Sequence, residues 1–185
     1  MSGAPRSAKA TATANTTGRE HELLRLVPGS TVSVDGAPRT VRGAIQIRGA
    51  TQRWAEYLLE AGTPSLWLAV EELADGGVRL SRWTRTTADA AGFDPLRPVL
   101  HGVPLVETER GEGDFEAAGE FGADGEGRGD GLGGLTPGRG RLDYIDFAGP
   151  GVRASLERFV PGAPGLLGIG TDLPAPGDRT DEHHA

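Results

Sequence analysis

The sequence predicts an all-β, mainly antiparallel domain, a sandwich or partly open barrel of about 8–10 short strands. Three observations carry this. Several segments alternate apolar and polar residues with a period of two. Turn signals rich in Gly, Pro and Asp separate them every ten residues or so. No long stretch keeps a helical period except a short one near the N-terminus, where Glu20 to Val27 supports one or two turns before Pro28-Gly29 stops it.

Taken in order, residues 1–19 are mostly Ala, Thr, Ser and Gly with three basic residues, hold no large apolar residue beyond Met1, and are expected to be disordered. Thr31 to Val34 is a β-branched run, Asp35-Gly36 a turn, and Arg39 to Arg48 a strand with Val41, Gly43, Ile45 and Ile47 on one face. Gln52 to Ala61 is two-sided: Trp54, Tyr57, Leu58 and Ala61 sit at helical spacing, but the segment is short and bounded by Gly49 and Gly62. The regular spacing of the strands that follow, Leu66 to Leu73 and Val78 to Arg85, favours Gln52 to Glu60 as the first strand of a meander. Residues 86–99 read as loop. Gly102 to Thr108 and Asp114 to Phe121 read as two weaker strands, and 122–140 as a flexible Gly-rich insertion. Arg141 to Phe147 and Val152 to Phe159 form a hairpin around Gly149-Pro150-Gly151, and Leu166 to Ile169 is a last short strand. Residues 20–170 are thus a single β-rich domain, and 171–185 a second disordered tail.

Composition narrows the function classes. The net charge is −7 and the chain has no cysteine, which removes disulfides, thiolate metal sites and cysteine nucleophiles. The acidic balance argues against nucleic acid and anionic membrane surfaces as partners. An N-terminus without an apolar core and the lack of any membrane-span-length apolar run lead to the expectation of a cytoplasmic protein, with at most a peripheral membrane partner. His21, His101, His183 and His184 lack metal-ligand spacing, so neither a metal nor a cofactor is expected. The spaced glycines of residues 129–134 mimic a dinucleotide fingerprint, but no strand precedes them and no helix follows.

Four short motifs occur in order: Trp54-Ala55-Glu56-Tyr57-Leu58-Leu59, Trp67-Leu68-Ala69-Val70-Glu71-Glu72, Tyr144-Ile145-Asp146-Phe147 and Leu156-Glu157-Arg158-Phe159. Together they resemble the bacterial family of domain of unknown function 4178, over about Leu26 to Gly170. The resemblance implies a compact β-rich domain, frequent in actinobacteria and encoded near a small membrane protein and a polyamine-synthase-like protein. It implies no particular activity. It also favours strand over helix for Gln52 to Glu60.

Pairing Gln52–Glu60 with Leu66–Glu72 in an antiparallel hairpin sets Leu58 opposite Trp67, Glu56 opposite Ala69 and Trp54 opposite Glu71. Ala55, Tyr57, Leu59, Leu66, Leu68 and Val70 then share the other face, apolar apart from one hydroxyl. A one-residue slip would mix the two sets, so the segregation supports the register. The Trp/Glu face is the candidate site: Trp54, Glu56, Trp67 and Glu71, with Glu157 and Arg158 as further members. It suits a cation or sugar-like ligand. The competing expectation is that the face packs under a second sheet with its carboxylates paired to Arg79, Arg82 or Arg158. The reading that follows is a non-enzymatic binding or protein-interaction module, taking a small ligand or a protein partner. The alternatives are a carboxylate-dependent hydrolase or lyase using Glu56, Glu71 or Glu157, and an accessory component working beside a membrane protein.

Overall fold

The computed structural model describes residues 21–60, 65–121, 135–159 and 165–174. A helical turn at residues 21–23 leads into β1 (Thr31–Val34) and β2 (Ala37–Arg48). Asp35 and Gly36 both take positive φ, 53° and 76°, the conformation that a two-residue hairpin turn requires. The chain continues through β3 (Arg53–Leu59), β4 (Leu66–Glu72) and β5 (Val78–Thr87). After a single helical turn, Ala88–Ala91, come the small ladder of β6 (Val99–Leu100) and β7 (Val103–Pro104) and the long β8 (Val106–Gly119). Last are β9 (Gly138–Gly149), β10 (Val152–Arg158) and β11 (Leu166–Asp172).

All pairings are antiparallel. The ladder runs β2-β3-β4-β5-β11-β10-β9-β8, and β8 pairs back onto β2, so eight strands close a barrel and β1 extends β2 outside it. The expected sandwich or partly open barrel is therefore a closed one, and closure removes all but short edges. The β3–β4 register is the expected one, with Trp54 opposite Glu71, Glu56 opposite Ala69 and Leu58 opposite Trp67.

Three boundaries differ from expectation. The two weak strands of residues 102–121 are largely one strand, because Gly111 and Gly113 face inward and continue the ladder to β9. Gly138 to Gly140 belong to β9 rather than to the insertion, since they pair with Phe115 to Ala117. β11 continues to Asp172, held against Ser81 and Arg82 of β5. The two expected tails up to residue 20 and from 175, and the insertion at 122–134 with its spaced glycines, lie outside the described residues.

Hydrophobic packing falls into three clusters. The interior holds Ile45, Ile47, Leu58, Trp67, Trp83, Phe115 and Leu142 among others. The apolar face of β3 and β4 points outward and is sealed by Leu24, Val32, Val34 and Val78. There Tyr57, fully buried, donates from its hydroxyl to the Leu23 carbonyl at 2.7 Å and accepts from the Leu26 amide and the Gln46 amide nitrogen. The third cluster lies outside β9–β11, where Phe93, Leu100 and Leu105 cover Phe147, Ala154 and Leu167. The 86–99 segment thus covers the outer wall instead of looping free.

A barrel of eight strands leaves an interior just wide enough for side chains. Here large rings face glycines across the ladder. Trp83 lies opposite Gly170, where an added Cβ would sit 2.5 Å from the indole. Tyr144 lies opposite Gly111, where a Cβ would meet the phenol oxygen at 2.9 Å. The volume taken by each ring is given up by its cross-strand neighbour.

Candidate functional site

The Trp/Glu face of β3 and β4 is the barrel interior. Period-two alternation directs Trp54, Glu56, Trp67 and Glu71 inward from β3 and β4, and the same parity sends Glu157 inward from β10. Arg158, next along β10, points out and is exposed. Five of the six expected residues therefore share one enclosure, and Arg158 does not.

Four inward residues went unmarked in the sequence: Trp83, Arg85, Asp146 and Arg153. Each had a parity signal. Trp83 and Arg85 alternate with exposed Arg82 and Thr84, and Asp146 shares parity with buried Leu142 and Tyr144. Of the partners expected for the carboxylates, Arg79 is found, and Arg82 and Arg158 are replaced by Arg85. Glu71 is bound by Arg79, which donates to both of its oxygens, the closest contacts being 2.6 Å. Arg82 instead reaches Asp35 on the outside. Glu56 and Glu157 share Arg85, whose Nη2 donates to an oxygen of each at 2.6 Å.

Arg85 is the centre of the site. Its side chain is 5% exposed, and its guanidinium carbon stands 4.4 Å from the Trp67 ring centroid. Burial disfavours its charge, but Glu157 and Glu56 outweigh that and hold its pKa above the ordinary value. Nε and Nη1 have no hydrogen-bond acceptor among the described residues. The Trp67 face supplies their electrostatic partner. One guanidinium cannot neutralise two carboxylates at this depth. Burial pushes the Glu157 carboxyl well above the usual carboxylate range against the pull of Arg85, and Glu56 pushes it further. Glu56 also accepts from the Trp54 indole nitrogen at 3.3 Å.

Exposure rises toward the end where β3 begins and β4 ends. Glu71 and Arg153 are each 22% exposed there, against 6% for Glu56 and Glu157. Arg153 lies 3.6 Å from Glu71, 3.1 Å from Asp172 and 5.6 Å from the Trp83 ring centroid. Tyr144 donates to Glu109 at 2.7 Å, and Gln52 donates to the same oxygen at 2.9 Å. Burial lifts the Asp146 carboxyl to about 6, a hydrogen bond from Ser155 and the charge of Arg153 opposing it. Between these groups lies a cavity of about 50 Å³, walled by Trp54, Trp83 and Tyr144. The opposite end is closed by Phe121, Leu135, Phe159 and Leu166. Among the described residues no group of acids or histidines is arranged to hold a metal ion.

The two raised carboxyls give stability a definite pH dependence. The folded chain keeps the Asp146 proton to higher pH than the unfolded chain does. Its stabilising contribution is complete below the unfolded value of 3.8 and gone once the pH passes about 6. Glu157 has the same sign and extends the decline upward. Asp146→Asn should therefore flatten the fall in urea midpoint between pH 4 and pH 6. Equal pH slopes in the parent and the variant across that window would contradict the assignment.

A closed antiparallel barrel with a charged, aromatic-walled interior and one open end belongs to the class of small barrels that enclose side chains or a small ligand. The chain is a member of the family of domain of unknown function 4178, whose model matches residues 27–164. It is also similar to an uncharacterized protein of Mycobacterium tuberculosis and one of Mycobacterium bovis. Each is 34% identical over 144 residues, covering 74% of this chain and 62% of the relative. The chain thus spans about six tenths of the length of the curated relatives it matches. No solved structure matches it. Among the described residues no helix is long and apolar enough to cross a membrane.

Proposed function

We propose that this domain is a non-enzymatic binding module whose barrel takes the cationic head group of a small molecule through its open end. The observation that carries the reading is a charge imbalance inside an aromatic-walled cavity. Four carboxyls line it, Glu56, Glu71, Asp146 and Glu157, against three guanidiniums: Arg85 and Arg153 in the lining, and Arg79, which binds Glu71. Burial first, and the neighbouring carboxylates after it, push two of those acids toward their protonated forms. An ammonium or guanidinium group relieves the same imbalance without protons. Arg153, between Glu71 and the Trp83 face, supports the choice, because these surroundings already suit a guanidinium. A cavity of about 50 Å³ accommodates a few heavy atoms, so the rest of the ligand lies at or beyond the rim.

Tryptophan fluorescence tests this, since Trp54 and Trp83 wall the cavity. Alkylammonium, diamine and guanidinium probes should change the emission, and the affinity should increase as the pH rises past 6 and Asp146 ionises. A nucleotide and a neutral sugar should leave it unchanged. Equal responses to the sugar and the amines, or none to any amine, would sink the reading.

The carboxylate-dependent hydrolase reading draws on one observation. Glu56 and Glu157 contact the same nitrogen, and burial raises the Glu157 carboxyl, as a general acid requires. Arg85 stands between them, and the cavity is smaller than a sugar ring, which favours binding over glycoside chemistry.

A further inference from the structure

A second concavity of about 470 Å³ lies at the end of β2, and Trp54 is among the residues that line it. Its rim carries His21 and Arg25 from the N-terminal turn, Arg48 from β2, Arg53 from β3 and Arg139 from β9. Two carboxylates at or beside this rim are matched: Glu116 pairs with Arg139 at 3.1 Å, and Glu72 forms a two-pronged pair with Arg53. Asp114 shares Arg141 with Glu112, at 3.7 Å against 2.6 Å. Arg25 and Arg48 are left over. Both are exposed, and neither side chain has a hydrogen bond or ion pair among the described residues. A chain of net charge −7 thus concentrates two uncompensated guanidiniums in one groove. The sequence hides this, because residues 25, 48, 53 and 139 belong to four different elements.

We infer that this groove is an anion site, and that its ligand is a small molecule bearing a phosphate. The groove is cationic on balance, and guanidinium forks such as those of Arg25 and Arg48 match phosphate oxygens in pairs. The volume falls in the range of small-molecule sites. The charged residues that line this groove are not those of the interior cavity, and Trp54 lines both.

Isothermal titration at low salt with inorganic phosphate, pyrophosphate and glycerol 3-phosphate tests the inference. Binding of at least one probe is expected, weakened by added sodium chloride. Arg25→Glu and Arg48→Glu should each weaken it about tenfold or more. Arg158→Glu, an exposed change on the outside of β10, should leave it unchanged. All three positions are exposed, so the variants should unfold at the parent's urea midpoint. Equal affinity in the parent and both groove variants would overturn the location, and no binding of any probe would overturn the site. Binding only to phosphatidylglycerol vesicles, not to the soluble probes, would overturn the small-molecule source in favour of a lipid headgroup.

Discussion

Replacing Arg85 by methionine should destabilise the fold by about 3–5 kcal/mol, the usual cost of removing one partner from a buried ion pair. The change leaves Glu56 and Glu157, each with a side chain 6% exposed, facing each other without their shared cation. Methionine keeps much of the stem volume but not the guanidinium over Trp67, so the loss reports the buried charge together with that ring contact. The penalty should grow with pH. In acid the raised Glu157 carboxyl keeps its proton and needs no counterion, whereas at higher pH it must ionise without one or hold its proton against a steep gradient. Urea midpoints at pH 5 and pH 8 measure this. The triple change Arg85→Met, Glu56→Gln, Glu157→Gln should recover much of the loss, because it removes the orphaned charges along with their partner. A single Arg85→Met variant within about 1 kcal/mol of the parent at pH 8 would mean that the two carboxylates do not depend on this guanidinium.

The same residue shows where sequence reading stops. The face of β3 and β4 was legible because two apolar and mixed sets separate cleanly by parity, and only one register preserves them. The hairpin turn at Asp35-Gly36 was legible because few residue pairs accept positive φ twice. Arg85 was not legible. It sits among threonines and arginines at the end of β5, and its two partners lie 29 and 72 residues away in sequence. Nothing local distinguishes a guanidinium that enters the barrel from Arg82, which leaves it for Asp35. Only the parity shared with Trp83 carried the information. The closed architecture was half legible for a similar reason. Strand count and turn spacing indicate a sandwich or a barrel. The choice depends on β8 reaching back to β2, and β8 reads as two fragments because its inward positions at Gly111 and Gly113 carry no side chain. Those glycines are empty to make room for Tyr144 and Ile47, a reason that exists only across the ladder.

Closure itself should fail at Gly119. This residue ends β8 opposite Gly43, at the last pair of the seam that joins β8 to β2. Its φ is +92°, and a Cβ there would sit 2.2 Å from the Arg42 carbonyl oxygen and 2.6 Å from Pro28. The first obstacle is backbone of the partner strand, which cannot swing aside as a side-chain tip can. That same carbonyl accepts the Glu120 amide at 3.1 Å, so moving it breaks a seam hydrogen bond as well. Gly119→Ala combines about 1–2 kcal/mol for a left-handed alanine with about 1–3 kcal/mol of overpacking, a loss on the order of 3 kcal/mol. Gly76→Ala separates the two contributions. Gly76 has φ +83° and open space around its Cβ position, so it should show the conformational cost alone. Urea midpoints for the pair therefore isolate the clash. The Gly119 variant should also expose its seam amides, read as faster hydrogen exchange at Ala44 and Ala118, a register pair on β2 and β8. Equal losses in the two variants, with unchanged exchange at these amides, would mean that the seam tolerates a side chain and that barrel closure does not depend on this glycine.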